Sequence, residues 1–218
     1  MPSTRYQKIN AHHYRHIWVV GDIHGEYQLL QSRLHQLSFF PEIGLLISVG
    51  DNIDRGPESL DVLRLLNQPW FTSVKGNHEA MALEAFETGD GNMWLASGGD
   101  WFFDLNDSEQ QEAIDLLLKF HHLPHIIEIT NDNIKYAIAH ADYPGSEYLF
   151  GKEIAESELL WPVDRVQKSL NGELQQINGA DYFIFGHMMF DNIQTFANQI
   201  YIDTGSPNSG RLSFYKIK

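Results

Sequence analysis

The sequence predicts an α/β chain, α+β in part: two packed sheets with helices outside. Three observations predict it. Short apolar segments run straight into glycine, the pattern of strands buried on both faces. Apolar residues at spacings of three and four follow the first such segment, as in an amphipathic helix. The last third carries short β-like runs separated by turns.

Ile17–Val20 reads as a buried strand running into Gly21, and Tyr27, Leu30, Leu34 and Leu37 mark the helix after it. Leu45–Val49 is a second strand, Leu60–Leu66 a helix, Phe71–Val74 a third strand, and a helix follows over about Glu79–Phe86. Strand, loop and helix repeated three times imply parallel βαβ units, whose sites form at the carboxyl ends of the strands. Gly89–Asp104, rich in glycine and aromatics, reads as a loop or broken helix. Ser108 and Gln111 form a candidate capping box for a helix to about His121, ended by Pro124. Ile126–Thr130 and Ile134–Ala139 flank Asn131-Asp132-Asn133 and predict a hairpin. Tyr182–Phe185, Ile193–Phe196, Gln199–Ile202 and Leu212–Ile217 read as successive strands, so an antiparallel half is expected after the βαβ units.

The 218 residues fit one domain, with residues 1–15 a polar lead-in. That lead-in lacks the apolar core of a secretory signal, and no apolar run approaches membrane-spanning length, so a cytoplasmic chain without membrane attachment is expected. There is no cysteine, which excludes disulfides, thiol nucleophiles and thiolate metal sites. A metal must then be held by His, Asp, Asn or Glu, a set suited to Mn, Fe, Zn or Co. With 15 basic and 29 acidic residues the net charge is −14, which argues against a nucleic-acid backbone as partner.

Three polar loops follow the three early strands: Gly21-Asp22-Ile23-His24-Gly25, Gly50-Asp51-Asn52-Ile53-Asp54-Arg55-Gly56 and Gly76-Asn77-His78-Glu79. His140 and Gly186-His187 follow two later strands. Asp22 and His24, two apart, share a side of an extended segment and could bind one ion. Asn77, His140 and His187 could bind a second, with Asp51 bridging. Two divalent ions exceed the charge of the two aspartates, leaving the site positive enough for a phosphate dianion and a bridging hydroxide. Such ions, about 3.5–4 Å apart, lower the pKa of a shared water towards ~7. His78 is a candidate acid for the leaving alcohol, oriented by Asp54, and Arg55 offers a planar fork for phosphate oxygens. Taken singly, each feature has a plainer reading: Asp-X-His as a turn, His140 as a satisfied core histidine, Asn77 as an N-cap. Their joint placement at strand ends favours the site.

These loops resemble the Gly-Asp-X-His-Gly, Gly-Asp-X-X-Asp-Arg-Gly and Gly-Asn-His-Glu signatures of the phosphoprotein phosphatase (metallophosphoesterase) family, closest to its small bacterial and phage lambda-type members. The resemblance covers nearly the whole chain, including Trp161, the run Gly179-Ala180-Asp181-X-Phe183-Ile184-Phe185-Gly186-His187, and Tyr201-Ile202-Asp203-Thr204-Gly205. It implies a β-sandwich of two mixed sheets flanked by helices. It also implies hydrolysis of phosphoserine and phosphothreonine, with phosphotyrosine as a further substrate. Asp22, His24 and Asp51 would hold one metal; Asp51, Asn77, His140 and His187 would hold the second. Manganese is the expected metal, with iron or zinc as alternatives. His78 with Asp54 would donate the proton and Arg55 would bind phosphate.

Three departures bear on substrate preference. Family members often carry Trp-X-Arg-X-Arg, but Trp161-Pro162-Val163-Asp164-Arg165 places Val163 at the first arginine, leaving Arg165 as the candidate substitute. Met188-Met189 follow His187 where Thr-Pro is common, and Ser97-Gly98-Gly99 stands for Asn-Gly-Gly. Two other readings compete. A phosphoesterase for a small molecule such as a dinucleoside polyphosphate is disfavoured by Asp54 and Glu79, and a catalytically weak binding module by the intact ligand set. His121, His122 and His125 are discounted as a metal cluster because Pro124 breaks their helix. His12, His13 and His16 read as solvated or packed, Asp90-Gly91-Asn92 as an incomplete calcium loop. Trp94, Trp101, Phe102 and Phe103 read as core or cleft wall, with a peptide-binding surface as the sharper alternative.

Overall fold

The computed structural model describes residues 4–218; residues 1–3 of the expected lead-in lie outside the described residues. Strand β1 (Tyr6–Asn10) is followed by β2 (His16–Val20), α1 (Tyr27–Gln36), β3 (Gly44–Ser48), α2 (Ser59–Arg64), β4 (Phe71–Ser73) and α3 (Asn77–Thr88). Then come α4 (Asn92–Ala96), α5 (Asp107–Leu117), β5 (Ile126–Asn131), β6 (Ile134–Ile138), α6 (Ser157–Leu160) and α7 (Asp164–Leu170). The chain closes with β7 (Tyr182–Phe185), β8 (Gln194–Phe196), β9 (Gln199–Tyr201), α8 (Ser206–Ser209) and β10 (Phe214–Lys216). No helix among the described residues is long and apolar enough to cross a membrane.

Two mixed sheets result, ordered β10-β2-β3-β4 and β1-β5-β6-β7-β9-β8. Side-chain alternation explains why the strands look apolar throughout. Ile17 and Val19 of β2, Leu45 and Ile47 of β3, Ile138 of β6 and Ile184 of β7 share one cluster, the layer between the sheets. The intervening Val20 and Leu46 pack with Leu30 and Leu34 of α1, outside the first sheet. Ala137, Phe183 and Phe185 pack with Leu159, Leu160 and Val166 outside the second. Strands β2, β3, β6 and β7 are thus covered on both faces.

The architecture of two mixed sheets flanked by helices is as expected, but four local expectations are corrected. Residues 6–10 of the lead-in form an edge strand pairing parallel with β5; its residues are exposed or half-buried, so no apolar signal marked it. The second half is not antiparallel: β6, β7 and β9 run parallel, and only β5/β6 and β8/β9 are hairpins. The C-terminal strand β10 returns to the first sheet, antiparallel to β2. Helix α5 is capped by Asn106, whose side chain accepts from the backbone N–H of Ser108 and Glu109, while Glu109 returns a bond to Asn106. The Asn106/Glu109 pair starts two residues earlier than Ser108/Gln111: Asn106 is the N-cap, and Ser108 already lies inside the helix. The expected hairpin is present, its turn residues Asp132 and Asn133 both left-handed as a two-residue turn requires.

Candidate metal centre and active site

The loops after β2, β3, β4, β6 and β7 bring Asp22, His24, Asp51, Asn77, His78, His140 and His187 together, the first six of them buried. Their backbones are unusual. His24, Asp51, Asp54, Arg55 and His187 all have φ between 47° and 74°, a region that costs a non-glycine residue energy. The surroundings hold them there. Asp54 N–H donates to Oγ of Ser59 at 2.9 Å, and Arg55 N–H to the Gly98 carbonyl at 3.2 Å. The buried Glu79 carboxylate accepts from the backbone N–H of Asp51, Asn52 and Gly76 at 2.7–2.9 Å, clamping the second loop to the third. A Cβ on Gly76 would lie 2.2 Å from the Asp51 carboxylate, so the approach of those loops needs glycine.

Hydrogen bonds to the far side of each ring set the tautomers. His24 Nδ1–H donates to the Ile53 carbonyl at 2.9 Å and His140 Nδ1–H to the Val49 carbonyl at 2.8 Å, leaving both Nε2 lone pairs facing inward. Potential ligand atoms of His24, Asp51 and His78 lie within 4.8 Å of one another, as do those of Asp51, His140 and His187. Asp51 belongs to both groups. Asp22 lies outside both groups; its two carboxylate oxygens share the backbone N–H of His187, at 3.0 and 3.2 Å, which leaves each oxygen a lone pair for a cation.

The donor set fits divalent cations. With His140 neutral, Oδ1 of Asn77, Nε2 of His140 at 2.8 Å and Nδ1 of His187 at 3.2 Å are acceptors turned on one another. Turning the Asn77 amide over would let its nitrogen donate to His140, Asp51 and His187 and so relieve that contact; a cation would relieve it with the oxygen left in place. In the first group the Arg55 guanidinium supplies a positive charge, donating to Nε2 of His24 and of His78 at 3.0 Å each. It stands in there for the cation that imidazole lone pairs would otherwise meet.

Electrostatics point the same way. Burial pushes His24 down to about 3 and His187 to about 4, so both keep free lone pairs at neutral pH. Burial also lifts the Asp22 carboxyl, helped by the nearby Asp203. Burial would lower His140, but Asp51 and Asp22 override it and push it up to about 10.

Beside this centre, Nδ1–H of His78 donates to Oδ2 of Asp54 at 2.7 Å, leaving Nε2 to the Arg55 guanidinium. Burial works against a charged His78, yet Asp51 and the Asp54 bond outweigh it and raise its proton affinity. Arg165 lies apart. Its buried guanidinium donates to Asp142 at 2.8 Å and to the carbonyls of Tyr143 and Gly145 at 2.9 and 2.7 Å. Val163, the residue before α7, packs half-buried on the second sheet's outer cluster. In the sequence, Glu79 served only to separate substrate classes, and Trp94 and Trp101 read as core or cleft wall, with a peptide-binding surface as the alternative; for the loop clamp made by Glu79, its place in Gly-Asn-His-Glu was the available signal.

Residues 15–190 match the family described as calcineurin-like phosphoesterase, and the chain belongs to that family. Across the full length of both chains it is 99 % identical to serine/threonine-protein phosphatase 2 of Escherichia coli strain K12. It is 60 % identical, again over all of both chains, to serine/threonine-protein phosphatase 2 of Salmonella typhimurium strain LT2. The crystal structure of a putative diadenosine tetraphosphatase shares the fold, with a TM-score of 0.72 and 22 % identity over 98 % of this chain and 94 % of that one.

Proposed function

We propose that the chain is a metal-dependent protein phosphatase that hydrolyses phosphoserine and phosphothreonine monoesters, with phosphotyrosine as a further substrate. The carrying observation is the buried His78–Asp54 pair at 2.7 Å beside two ligand groups that share Asp51. The protein substrate is supported by the name of the relative at 99 % identity. In this reading Asp22, His24 and Asp51 would hold one divalent ion and Asp51, Asn77, His140 and His187 a second, manganese before iron or zinc. When bound, such ions supply Lewis acidity and lower the pKa of a shared water to ~7.

The chain's own residues do the rest. Arg55, exposed over the cleft, swings its fork from the two imidazoles to the phosphate oxygens, a charge-assisted contact. His78 gives the proton at Nε2 to the leaving serine or threonine oxygen, and Asp54 keeps the ring turned and stabilises its charged form. Arg165, committed to Asp142 and two carbonyls, is left out of phosphate binding and assigned a structural role.

The test pairs substrates with one variant. Manganese-loaded protein is assayed on phosphoserine and phosphothreonine peptides and on a dinucleoside tetraphosphate; kcat/KM favouring the nucleotide would overturn the protein-phosphatase reading. His78→Asn should cost about 10²–10⁴-fold on the peptides and much less on dinitrophenyl phosphate, whose leaving group needs no proton. Equal losses on both would remove His78 from the role of acid.

A further inference from the structure

The carboxylate of Asp54 is fully buried, and three N–H donors close on it. His78 Nδ1 takes Oδ2 at 2.7 Å. Trp101 Nε1 donates to Oδ1 at 2.8 Å. Trp94 Nε1 is shared between Oδ1 at 3.0 Å and Oδ2 at 3.1 Å. The indoles come from α4 and the turn after it, 40 and 47 residues along the chain. They meet edge to face, at 85° with centroids 6.3 Å apart.

A wall of the core needs aromatic volume, not two indole nitrogens aimed at one carboxylate. Phenylalanine would supply the volume, as Phe102 does beside them. A buried indole seeks an acceptor, but backbone carbonyls are the common choice. Here both indoles choose the carboxylate that holds His78. The indole N–H is a donor only, so neither ring can accept the proton that His78 and Asp54 share. With both oxygens bound, rotating the carboxylate about its own axis would break several bonds at once.

The segment between α3 and α5 is shaped for this contact. A Cβ on Gly99 would stand 2.6 Å from the Trp94 ring, so only glycine lets the turn close on that indole. Gly98, at φ +104°, offers the carbonyl that receives Arg55 N–H. One short segment therefore braces Arg55 by its backbone and Asp54 by its side chains.

We propose that Trp94 and Trp101 are positioning residues for proton donation, their two indole N–H groups fixing the plane of the Asp54 carboxylate and, through it, the ring of His78. This rests on the reading of His78 as the proton donor. Phenylalanine at either position keeps most of the ring and removes only the donor. On phenyl phosphate, whose leaving group needs protonation, each Trp→Phe change should lower kcat by roughly tenfold and the double variant should approach the loss in His78→Asn. On dinitrophenyl phosphate each should lose less than about twofold.

Proton NMR of the metal-loaded protein with 15N-labelled tryptophan reads the contact without catalysis. Two of the five indole N–H signals should lie downfield, vanish one each in Trp94→Phe and Trp101→Phe, and both move in Asp54→Asn. Equal losses on both esters would make the tryptophans merely structural, and indole signals indifferent to Asp54→Asn would remove the contact; either overturns the proposal. Should Trp→Phe fail to fold, the response to Asp54→Asn alone decides it. If His78→Asn itself shows no dependence on the leaving group, the proton-donor reading fails; if it does and the tryptophan variants do not, only the positioning role fails.

Discussion

A terminal guanidinium nitrogen of Arg55 lies 3.0 Å from Nε2 of His78, while the other terminal nitrogen lies 3.0 Å from Nε2 of His24. One fork thus spans a candidate metal ligand and the candidate acid. A fork that turns from these rings to phosphate oxygens holds the phosphate beside both, on a backbone that the Gly98 carbonyl already braces.

Arg55→Ala should therefore lower kcat/KM by about one to two decades, the worth of a charge-assisted contact of roughly 1.5–3 kcal/mol. Because the side chain is exposed, unfolding free energy should change by less than about 0.5 kcal/mol. Arg55→Lys should recover only part of the loss, since an ammonium lacks the planar fork. Inhibition by inorganic phosphate should weaken in parallel; a change below about twofold in both readouts would place phosphate recognition elsewhere.

Metal removal should abolish activity on every phosphate ester and lower the melting temperature together. The buried carboxylates of Asp22 and Asp51 lose their counter-charge when the ions leave, and protonated His140 and Arg55 compensate only in part. Ions at about 100-fold over their dissociation constant would restore roughly 2.7 kcal/mol per site. Chelation followed by manganese titration, monitored by calorimetry and by nitrophenyl phosphate hydrolysis, checks both effects. Full activity after verified stripping would end the two-metal reading.

The candidate centre was legible because five of its six candidate ligands, all but His140, sit beside a glycine in a loop directly after a buried strand, a local pattern. What depended on distant parts of the chain was not. Strand β1 exists because β5 offers an edge to Tyr6–Asn10, whose own residues carry no apolar face. Parallel pairing of β6, β7 and β9 is decided by crossovers, not by strand composition. Trp94 and Trp101 read as core because their volume is local information, whereas the carboxylate that their nitrogens reach lies in another loop. Arg165 read as a phosphate ligand because its nearness to Val163 in sequence was visible and Asp142 was not.

That ion pair sets the expectation for Arg165→Ala. Residue 165 lies in the first turn of α7, directly after Asp164, and its guanidinium ties that helix to the segment after β6. Removing it leaves Asp142 buried without its partner and two carbonyls without a donor. Breaking a buried pair in this way costs about 3–5 kcal/mol. Urea unfolding should show that loss, while kcat/KM of the folded fraction stays within about threefold of the parent. A large fall in kcat/KM at undiminished stability would restore Arg165 to the substrate site.

A second buried cation gives a pH dependence whose sign is fixed. Lys75, 7 % exposed at its side chain, pairs with Oε1 of Glu156 at 3.0 Å, and the same oxygen receives Nε2–H of His125 at 3.2 Å. His125 can donate there because its Nδ1 accepts from the backbone N–H of Arg5. The His125 bond first, then Lys75 against the opposing effect of burial, hold the Glu156 carboxyl at about 2, below its ordinary 4.5. A depressed carboxyl stabilises the fold above its unfolded value and loses that contribution as pH falls through the folded value. The window therefore runs from 4.5 down to about 2. Solvent screening at a side chain 28 % exposed limits the contribution to about 1–2 kcal/mol. Glu156→Gln should lose that amount at neutral pH, because the amide leaves the Lys75 ammonium buried without a counter-charge. Urea unfolding from pH 7 downwards should show parent and variant separated by a constant amount above about pH 5, then converging as Glu156 takes up its proton. A separation that stays constant to the acid limit would mean that Glu156 is not charged in the fold. One that widens towards acid would mean that its proton affinity is raised, the opposite of what Lys75 and His125 impose.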